Sequence, residues 1–530
     1  MSELLDPRLP ADLAAQPGVK HIQTHLSHVF LTGERVYKLH KSVSFGFVDF
    51  STRAERNADS LRELRLNRRL APDVYLGLAP ARARGDTGAY AWGPVSESLD
   101  PDAENLVVMR RLPAGRDALS LLERGELAAE HVDAIAALIA DLHERTGLGA
   151  PAPFDAEAWQ ARVRTPLLES LDQIAGGANA ERVRSVRARA FERLVSGAGR
   201  IEARRRAGRV VDGHGDLHLQ HVWFERAGAP PLAIDCLEFR DDYRQIDAAS
   251  EVAFLAMDLE YRRRRDLAER FLRRYAELRD DFDLYGVVDP FIAYRAAVRA
   301  KVAALAAHDE ALSAEQRARA AHSADAHLAL VEGALAAAPP GPVVAMAGIV
   351  GSGKSTAAQA LADWTGGAVI ASDRVRKRQA GLAPTARGGP ELYTGERTRA
   401  AYAGLLERAA PVVLSGRPAI LDATYSRVPF RRELRAWGAA HGVRTLLVET
   451  TCGREEALAR LAARARAGAD PSDAGPELLA ASLAGFEPPA EWPAGERASV
   501  ATDRRDWREA LERAAAGLGL ERARPRGASR

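Results

Sequence analysis

The sequence predicts two kinds of fold in succession, a mixed α+β region and then an α/β region with a parallel sheet. Short strand-like runs dominate up to about residue 113, and helical patterns follow to about residue 335. After an Ala- and Pro-rich segment, apolar runs alternate with helical segments, which is typical of a parallel sheet covered by helices. We predict the segments 1–113, 114–335, a linker at 336–342, 343–520 and a disordered basic tail at 521–530.

The first region begins with a hairpin, because a Thr-Gly-Glu turn separates His28–Leu31 from Arg35–Leu39. A helix is predicted over Arg53–Leu70, where apolar residues recur at helical spacing up to an Ala-Pro pair. Leu106–Met109 is a short apolar strand. In the helical region that follows, only Val210–Val211 and Leu232–Ile234 read as strands. The predicted strands of the last region are Val343–Ala347, Ala368–Ala371, Ala419–Leu421 and Thr445–Glu449.

Composition limits the function classes. The formal net charge is +2 over 530 residues, which argues against a general electrostatic binder of nucleic acid or membranes. Two distant cysteines exclude a disulfide scaffold and fit a reducing compartment. The N-terminus lacks the apolar segment of a signal peptide, and no run of about 18 apolar residues occurs. We therefore expect a cytoplasmic protein without membrane association.

A glycine-rich loop stands between the first C-terminal strand and a predicted helix, Thr356–Trp364. Residues 348–355 read G-I-V-G-S-G-K-S and match G-x-x-x-x-G-K-[ST] at every fixed position. Such a loop surrounds phosphate oxygens of ATP with backbone N–H groups, while Lys354 reaches the β- and γ-phosphates and Ser355 ligates Mg²⁺. The predicted cofactor-binding positions are Gly348, Gly351, Ser352, Gly353, Lys354, Ser355 and Thr356.

Two carboxylates follow the next strands, at the sheet edge where open α/β sheets bind ligands. Asp373 could accept the proton of an attacking hydroxyl, and Arg376 could hold an anionic substrate group. The alternative is that Asp373 is a helix N-cap and Arg376 a solvated charge. Asp422 could hold Mg²⁺ through water.

Two arginines on a later helix, Arg460 and Arg464, are four residues apart and could close over ATP as a lid. The alternative is a solvated helix face. The glycine-rich loop, S-D-x-x-R at 372–376, L-D-A-T at 421–424 and a lid helix together resemble the small P-loop kinases related to gluconate kinase, zeta toxin and polynucleotide 5′-kinase, over about residues 343–515. This resemblance implies that Asp373 is the base and Arg376 the substrate or phosphate anchor.

A second polar loop lies in the larger, N-terminal part. Residues 212–221 read D-G-H-G-D-L-H-L-Q-H, and residues 234–239 read I-D-C-L-E-F. Two acids near strand ends could serve as a base and as a metal ligand. The clustered His214, His218 and His221 leave a transition-metal site open as an alternative.

These segments resemble the catalytic loop of the aminoglycoside phosphotransferase and choline kinase group, H-G-D-x-H-x-x-N followed by I-D-x-x-[DE]. The resemblance implies a protein-kinase-like fold with a hinge at about 109–112. It implies the following roles: Asp216 as base, Asp235 as main Mg²⁺ ligand, Glu238 close to the metal, Lys38 on the ATP phosphates and Glu63 as the ion-pair partner of Lys38.

One position departs from that pattern, because His221 stands where the group has an asparagine that binds a second Mg²⁺. Imidazole suits zinc or manganese better than magnesium. The site could work with one metal or another metal, bind nucleotide without turnover, or be a binding domain.

Arg295 and Arg299 lie four residues apart in a helical segment and could receive an anionic substrate, the alternative being a solvated basic face. The whole chain resembles a bacterial group described as bifunctional aminoglycoside phosphotransferase/ATP-binding proteins, including F-G-F-V-D-F-S at 45–51 and L-R-L-N-R-R-L-A-P at 64–72. A fold name alone does not make an antibiotic the substrate.

The sequence thus predicts an α+β protein-kinase-like (aminoglycoside phosphotransferase-like) domain followed by an α/β P-loop NTPase domain with a parallel sheet. The expected function is ATP- and Mg²⁺-dependent phosphotransfer to a hydroxyl of a small polar molecule at two sites. The alternatives are one active P-loop kinase regulated by a nucleotide-binding N-terminal domain, a nucleic-acid 5′-hydroxyl kinase, and an ATP-driven switch. The near-neutral charge argues against nucleic acid as the partner.

Overall fold

The computed structural model describes residues 4–46, 48–85, 88–174, 180–467 and 472–524. In chain order the strands are β1 (Lys20–Gln23), β2 (Ser27–Leu31), β3 (Arg35–His40), β4 (Ser44–Phe45), β5 (Val48–Asp49), β6 (Tyr75–Ala83), β7 (Tyr90–Trp92), β8 (Glu104–Arg110), β9 (Val210–Asp212), β10 (Val222–Trp223), β11 (Leu232–Ala233), β12 (Gln245–Asp247), β13 (Val343–Ala347), β14 (Ala368–Ala371), β15 (Ala419–Asp422), β16 (Thr445–Thr451) and β17 (Arg497–Ala501).

The helices are α1 (Arg8–Ala14), α2 (Arg53–Asn67), α3 (Ala118–Glu123), α4 (Ala129–Arg145), α5 (Ala156–Gln173), α6 (Ala180–Ser196), α7 (Ala198–Arg206), α8 (Ala248–Tyr261), α9 (Arg265–Arg279), α10 (Val288–Ala307), α11 (Ala314–Leu335), α12 (Lys354–Thr365), α13 (Ser372–Gln379), α14 (Gly395–Leu414), α15 (Val428–His441), α16 (Arg454–Ala467), α17 (Leu479–Gly485) and α18 (Trp507–Gly517). Among the described residues, no helix has both the length and the apolar content that crossing a membrane requires.

Contacts divide the chain into two compact units. The first contains the described residues of Met1–Phe154 and Arg204–Asp258, and the second those of Asp155–Ala203 and Leu259–Arg530. The second unit therefore joins the glycine-rich loop segment to helices that precede it in the chain. The boundary drawn at residue 343 from the sequence stays a prediction. Of the predicted disordered tail, residues 525–530 lie outside the described part.

The first unit is built on a six-stranded antiparallel sheet with the order β1-β2-β3-β8-β6-β7. Side chains alternate between the two faces of β8. Leu106 and Val108 join a core with Phe30 on one face, and Val107 packs with Leu64 of α2 on the other. Both faces of the central strands are therefore covered, and β3 and α2 are held at fixed positions.

Helix α2 begins with a reciprocal cap, in which the Thr52 side chain accepts from the Glu55 backbone and Glu55 accepts from the Thr52 backbone. The helix ends at Asn67, three residues before the predicted end. Two short antiparallel pairs, β12 with β9 and β10 with β11, fix the ends of the loops 213–221 and 234–239. These loops carry the acids that the sequence assigns to chemistry.

The second unit contains a five-stranded, all-parallel sheet with the order β14-β15-β13-β16-β17. The central strand β13 is buried throughout, as expected for a parallel sheet covered on both faces. On one face, Val344 and Met346 pack with Leu361 of α12 and Leu511 of α18. The carboxyl ends of β13, β14 and β15 meet at one edge, which brings the loops after them together.

A buried ion-pair network joins helices α9 and α10 to this sheet within the second unit. The Arg417 Nε donates to Glu269 at 2.7 Å, and its Nη atoms donate to Asp289 at 2.9 and 3.0 Å. Arg417 is 4% exposed, and it lies just before β15. The helices that precede the glycine-rich loop are thus fixed to the strand that carries Asp422.

Candidate functional site

The loop after β13 has the backbone that a phosphate-binding loop needs. Gly348 and Gly351 have φ values of +143° and +79°. A Cβ at Gly348 would lie 2.5 Å from the Thr450 carbonyl oxygen, and one at Gly351 would lie 2.8 Å from the Ala457 carbonyl oxygen. Only glycine avoids both the strain and the clash at these positions. The loop is therefore packed closely from behind and leads directly into α12.

Lys354 is the first residue of α12, and its Nζ donates to the Ile349 carbonyl oxygen at 2.7 Å. Burial lowers the pKa of Lys354 to about 8. The nearby carboxylates of Asp422 and Asp373 oppose this shift, because they favour the charged ammonium. Both acids thus lie within electrostatic range of the lysine. The loop and the lysine fit the triphosphate of ATP, since their backbone N–H groups and ammonium supply donors and positive charge.

Asp373 lies in the first turn of α13, directly after β14. Ala371 occupies the N-cap position, so Asp373 is not the N-cap that the alternative interpretation required. The Arg376 Nη1 donates to Asp373 Oδ1 at 2.9 Å, and the guanidinium lies 4.7 Å from the ring centroid of Tyr393. Arg376 is 7% exposed, so it is a positioned group and not a solvated charge.

A cavity of about 850 Å³ opens at this edge of the sheet. It is lined by Lys354, Ser355, Asp373 and Asp422 among other residues. Asp422 is the last residue of β15 and pairs in register with Met346 of β13 and Ala371 of β14. The Ser355 hydroxyl and the Asp422 carboxylate offer oxygen atoms of the kind that Mg²⁺ prefers as ligands.

Some residues at the cavity were not singled out by the sequence: Tyr393 and Asp473 line it, and Lys377 contacts Asp473. Lys377 is 1% exposed and donates to Asp473 Oδ1 at 3.0 Å, and the Tyr393 hydroxyl donates to Asp473 Oδ2 at 2.7 Å. These contacts fix a loop more than 90 residues further along the chain beside Arg376. Further aromatic and basic residues line the cavity: Arg274, Tyr402, Arg427 and Phe430.

The two predicted lid arginines on α16 have different environments. The Arg460 Nη1 and Nη2 donate to the Oγ1 and carbonyl oxygen of Thr502 at 2.8 and 2.9 Å, and Arg460 lies against Gly353. Arg464 lines the cavity and donates to the Ala474 carbonyl oxygen at 2.6 Å. Arg464 thus borders the cavity, whereas Arg460 braces the glycine-rich loop. Their role over ATP stays a prediction.

In the first unit, Lys38 of β3 joins two carboxylates. Its Nζ donates to Glu63 Oε1 of α2 at 2.9 Å and to Asp235 Oδ1 at 3.1 Å. Burial acts against the charged ammonium, but Asp235 and Glu63 raise the pKa of Lys38 well above its usual value. The Lys38 charge in turn lowers the pKa of Asp235 to about 2. The structure therefore brings together the three residues that the resemblance assigned to nucleotide and metal binding.

The loop 213–221 places Asp216 opposite Asp235. Glu251 fixes its start, since the backbone N–H of Gly215 donates to Glu251 Oε2 at 3.1 Å. The His218 Nε2 lies 3.6 Å from Asp216 Oδ2. Burial acts to raise the pKa of Asp216, but the contact with His218 and the nearby imidazoles hold it below its usual value. Asp216 is thus kept as a carboxylate. His218 was not among the predicted catalytic residues. Its position two residues after Asp216 is the sequence signal that could have identified it.

His221 lies between the two acids, and its hydrogen bond defines its tautomer. Its Nδ1 is 2.9 Å from the Asp216 carbonyl oxygen, so this nitrogen donates. Burial lowers the pKa of His221, and in the neutral ring Nε2 carries a lone pair facing Asp235 Oδ2 at 3.5 Å. Two electron-rich atoms at this separation fit a shared cation, and an imidazole ligand favours manganese or zinc over magnesium.

Two further sets of predicted site residues have the following surroundings. Glu238 falls into a buried group with His40 and Asp59, whereas Asp216, His218 and His221 form a separate group of possible ligands among the described residues. Glu238 lies on the loop after β11 and is buried close to Asp59 of α2. Arg295 is buried and Arg299 exposed on α10, so they do not present one basic face.

Comparisons with known proteins found one matching family model and several similar solved structures. A family model described as AAA domain matches residues 343–489. A gluconokinase from Sinorhizobium meliloti 1021 covers 34% of this chain and 93% of its own, with 22% identity and a TM-score of 0.26. A choline/ethanolamine kinase family protein from Mesorhizobium loti covers 61% of this chain and 97% of its own, with 15% identity and a TM-score of 0.33.

The sheets and the matched domain define a protein in which a kinase-like α+β fold is followed by an AAA-type P-loop domain, and the predicted fold class is confirmed. An uncharacterized protein of Mycobacterium tuberculosis is 32% identical over 504 residues, which cover 92% of this chain and 94% of that relative. The chain therefore belongs to the same family as this mycobacterial protein. The matched domain supports a nucleotide-binding, kinase-like function.

Proposed function

We propose that this protein is an ATP-dependent phosphotransferase whose P-loop unit phosphorylates a hydroxyl of a small polar molecule. One observation carries the proposal. A carboxylate fixed by an arginine, Asp373 with Arg376, lines the same cavity as Lys354 and Ser355 of the phosphate-binding loop. A base beside a phosphate site is what transfer to an acceptor hydroxyl needs.

The acceptor hydroxyl would give its proton to Asp373 as its oxygen bonds to the terminal phosphorus of ATP, and the bond to the leaving ADP oxygen breaks. Lys354 and the loop N–H groups would stabilise the charge on the phosphate oxygens. Ser355 and Asp422 would hold Mg²⁺, which when bound neutralises phosphate charge. Arg376 would hold the Asp373 carboxylate in place toward the acceptor.

The size and lining of the cavity support a small acceptor. Its volume of about 850 Å³ lies in the range of metabolite pockets, about 300–1,000 Å³. Arginines on its wall, Arg274, Arg376 and Arg427, favour an acceptor that carries an anionic group or several hydroxyls. The formal net charge of +2 argues against a polynucleotide acceptor.

The first unit supports a second phosphotransfer site, with Asp216 as base and Lys38 on the ATP phosphates. Asp235 and His221 would hold its metal ion. A second candidate function keeps this unit as a nucleotide-binding regulator of the P-loop kinase. His221 favours that candidate, because its ring fills the space between the two acids where an asparagine amide stands in the group it resembles.

The experiment incubates the full-length protein with labelled ATP and a pool of small metabolites, and detects labelled products by mass spectrometry. Asp373→Asn is expected to abolish one product while ATP binding persists, and Asp506→Asn, an exposed acid, is the matched control. A general base contributes about 10²–10⁴-fold in rate. Full product formation by Asp373→Asn would reject the proposed base.

The same experiment with Asp216→Asn separates the two candidates for the first unit. Loss of a different product supports two phosphotransfer sites. An unchanged product spectrum, with only the rate of the Asp373-dependent product altered, supports the regulator. ATP hydrolysis without any labelled product, equal in both variants and the parent, would contradict phosphotransfer by either site.

A further inference from the structure

A buried group of polar side chains in the first unit includes Glu63, the partner of Lys38, and three residues that the proposed chemistry does not use. His40 comes from β3, Asp59 and Glu63 from α2, and Glu238 from the loop after β11. Their residues are 1%, 0%, 0% and 6% exposed. One imidazole and three carboxylates are therefore removed from water together.

The atoms that face the middle of this group are too far apart for hydrogen bonds. The His40 Nε2 lies 3.5 Å from Asp59 Oδ2 and 3.6 Å from Glu63 Oε2. Ligand atoms of His40, Asp59 and Glu238 all lie within 4.8 Å of one another. Within the described part of the chain, those atoms of His40, Asp59 and Glu63 have no hydrogen-bond partner. A buried polar atom left in this way costs about 1–3 kcal/mol.

Three of the four side chains have an outer atom with a partner. Glu63 Oε1 accepts from Lys38 Nζ at 2.9 Å, and Asp59 Oδ1 accepts from Arg62 Nη2 at 2.8 Å. The His40 Nδ1 lies 3.4 Å from Ser27 Oγ. One atom of each of these three groups is fixed from outside, and the other points inward, which is how outer hydrogen bonds orient metal ligands.

We propose that His40, Asp59, Glu63 and Glu238 bind a divalent transition-metal ion, for which Zn²⁺ is the probe. Ligands about 2.1 Å from a tetrahedral zinc ion lie about 3.4 Å apart, close to the two separations measured from His40 Nε2. An imidazole among carboxylates favours zinc or manganese over magnesium. The ion ties β3, α2 and the loop after β11 together and holds Glu63 against Lys38.

This site is distinct from the Asp216, His218 and His221 group, and it does not depend on the proposed phosphotransfer. Its competitor is a set of protons shared between the buried carboxylates. A metal ion and shared protons both neutralise the group, but only the metal can be counted and located.

The first test measures bound zinc by mass spectrometry in the full-length protein after equilibration with Zn²⁺ and removal of the excess. His40→Ala and Asp59→Asn are expected to lose about one ion per chain relative to the parent. His322→Ala, at an exposed histidine, is expected to retain that ion. Equal zinc content in the parent and His40→Ala would overturn the proposal.

The second test needs no variant and so does not depend on how well the variants fold. Crystals of the parent protein grown with Zn²⁺ are measured at the zinc absorption edge. The expected anomalous peak lies about 2.0–2.2 Å from His40 Nε2 and Asp59 Oδ2. A folded chain without a peak at this position would assign the group to shared protons and reject the metal.

Discussion

The charge of Lys354 in the P-loop unit is sensitive to its surroundings. Burial lowers its pKa to about 8, whereas Asp422 and Asp373 resist that shift. A bound triphosphate adds negative charge and favours the ammonium form, so binding above that pKa requires proton uptake. The lysine therefore links nucleotide affinity to pH.

We predict that ATP affinity of the P-loop unit falls as pH rises from 7 to 9.5. The ammonium is charged below its pKa and neutral above it, so the loss approaches about tenfold per pH unit above pH 8. Calorimetric titration with a non-hydrolysable ATP analogue measures it. Lys354→Arg, whose guanidinium stays charged, is the control and should flatten the profile. An equally steep profile in that variant would assign the pH dependence to another group.

At the scale of secondary-structure elements, the parts of the sheet that bury apolar residues were predictable. The predicted bounds of β13 and β14 match the structure, because continuous apolar runs leave no other assignment. The edge strand β17 was missed, since only Val500 in it is buried. Strand β6 was also missed, because Gly77 and Pro80 interrupt its apolar pattern and a bulge shifts its register.

The residues of the candidate site likewise fall into those that the sequence predicts and those that it does not. The glycine-rich loop and Asp373 are local patterns with fixed spacing, and the sequence carries them. The contact of Lys377 with Asp473 spans 96 positions, and neither residue stands in a motif. His40 and Glu238 likewise meet only because β3 and the loop after β11 face α2. Long-range pairs of this kind follow from packing and not from local sequence.

Packing of α9 and α10 onto the P-loop sheet depends on Arg417. We predict that Arg417→Ala lowers the unfolding free energy of the second unit by about 3–5 kcal/mol, because it removes the cation that donates to the buried Glu269 and to Asp289. Urea unfolding measures the loss. Arg319→Ala, which removes an exposed pair with Glu315, should cost less than about 1 kcal/mol. Equal effects of the two substitutions would contradict a structural role for the buried network.

At the scale of the whole molecule, the chain contains two sites built by different folds, for which we propose the same kind of ligand. One is a glycine-rich loop at the edge of a parallel sheet, with Lys354 as its cation. The other is a cleft in which Lys38 joins Glu63 and Asp235. Each site has its own lysine, carboxylates and proposed metal ligands, so neither needs residues of the other to bind nucleotide.

The most direct test of this account is the number of nucleotides that one chain binds. Calorimetric titration of the full-length protein with a non-hydrolysable ATP analogue and a divalent cation should give two sites per chain. Lys354→Ala and Lys38→Ala should each leave one site, and the double variant should leave none. A single site in the parent protein, or the loss of both sites in either single variant, would contradict two independent nucleotide sites.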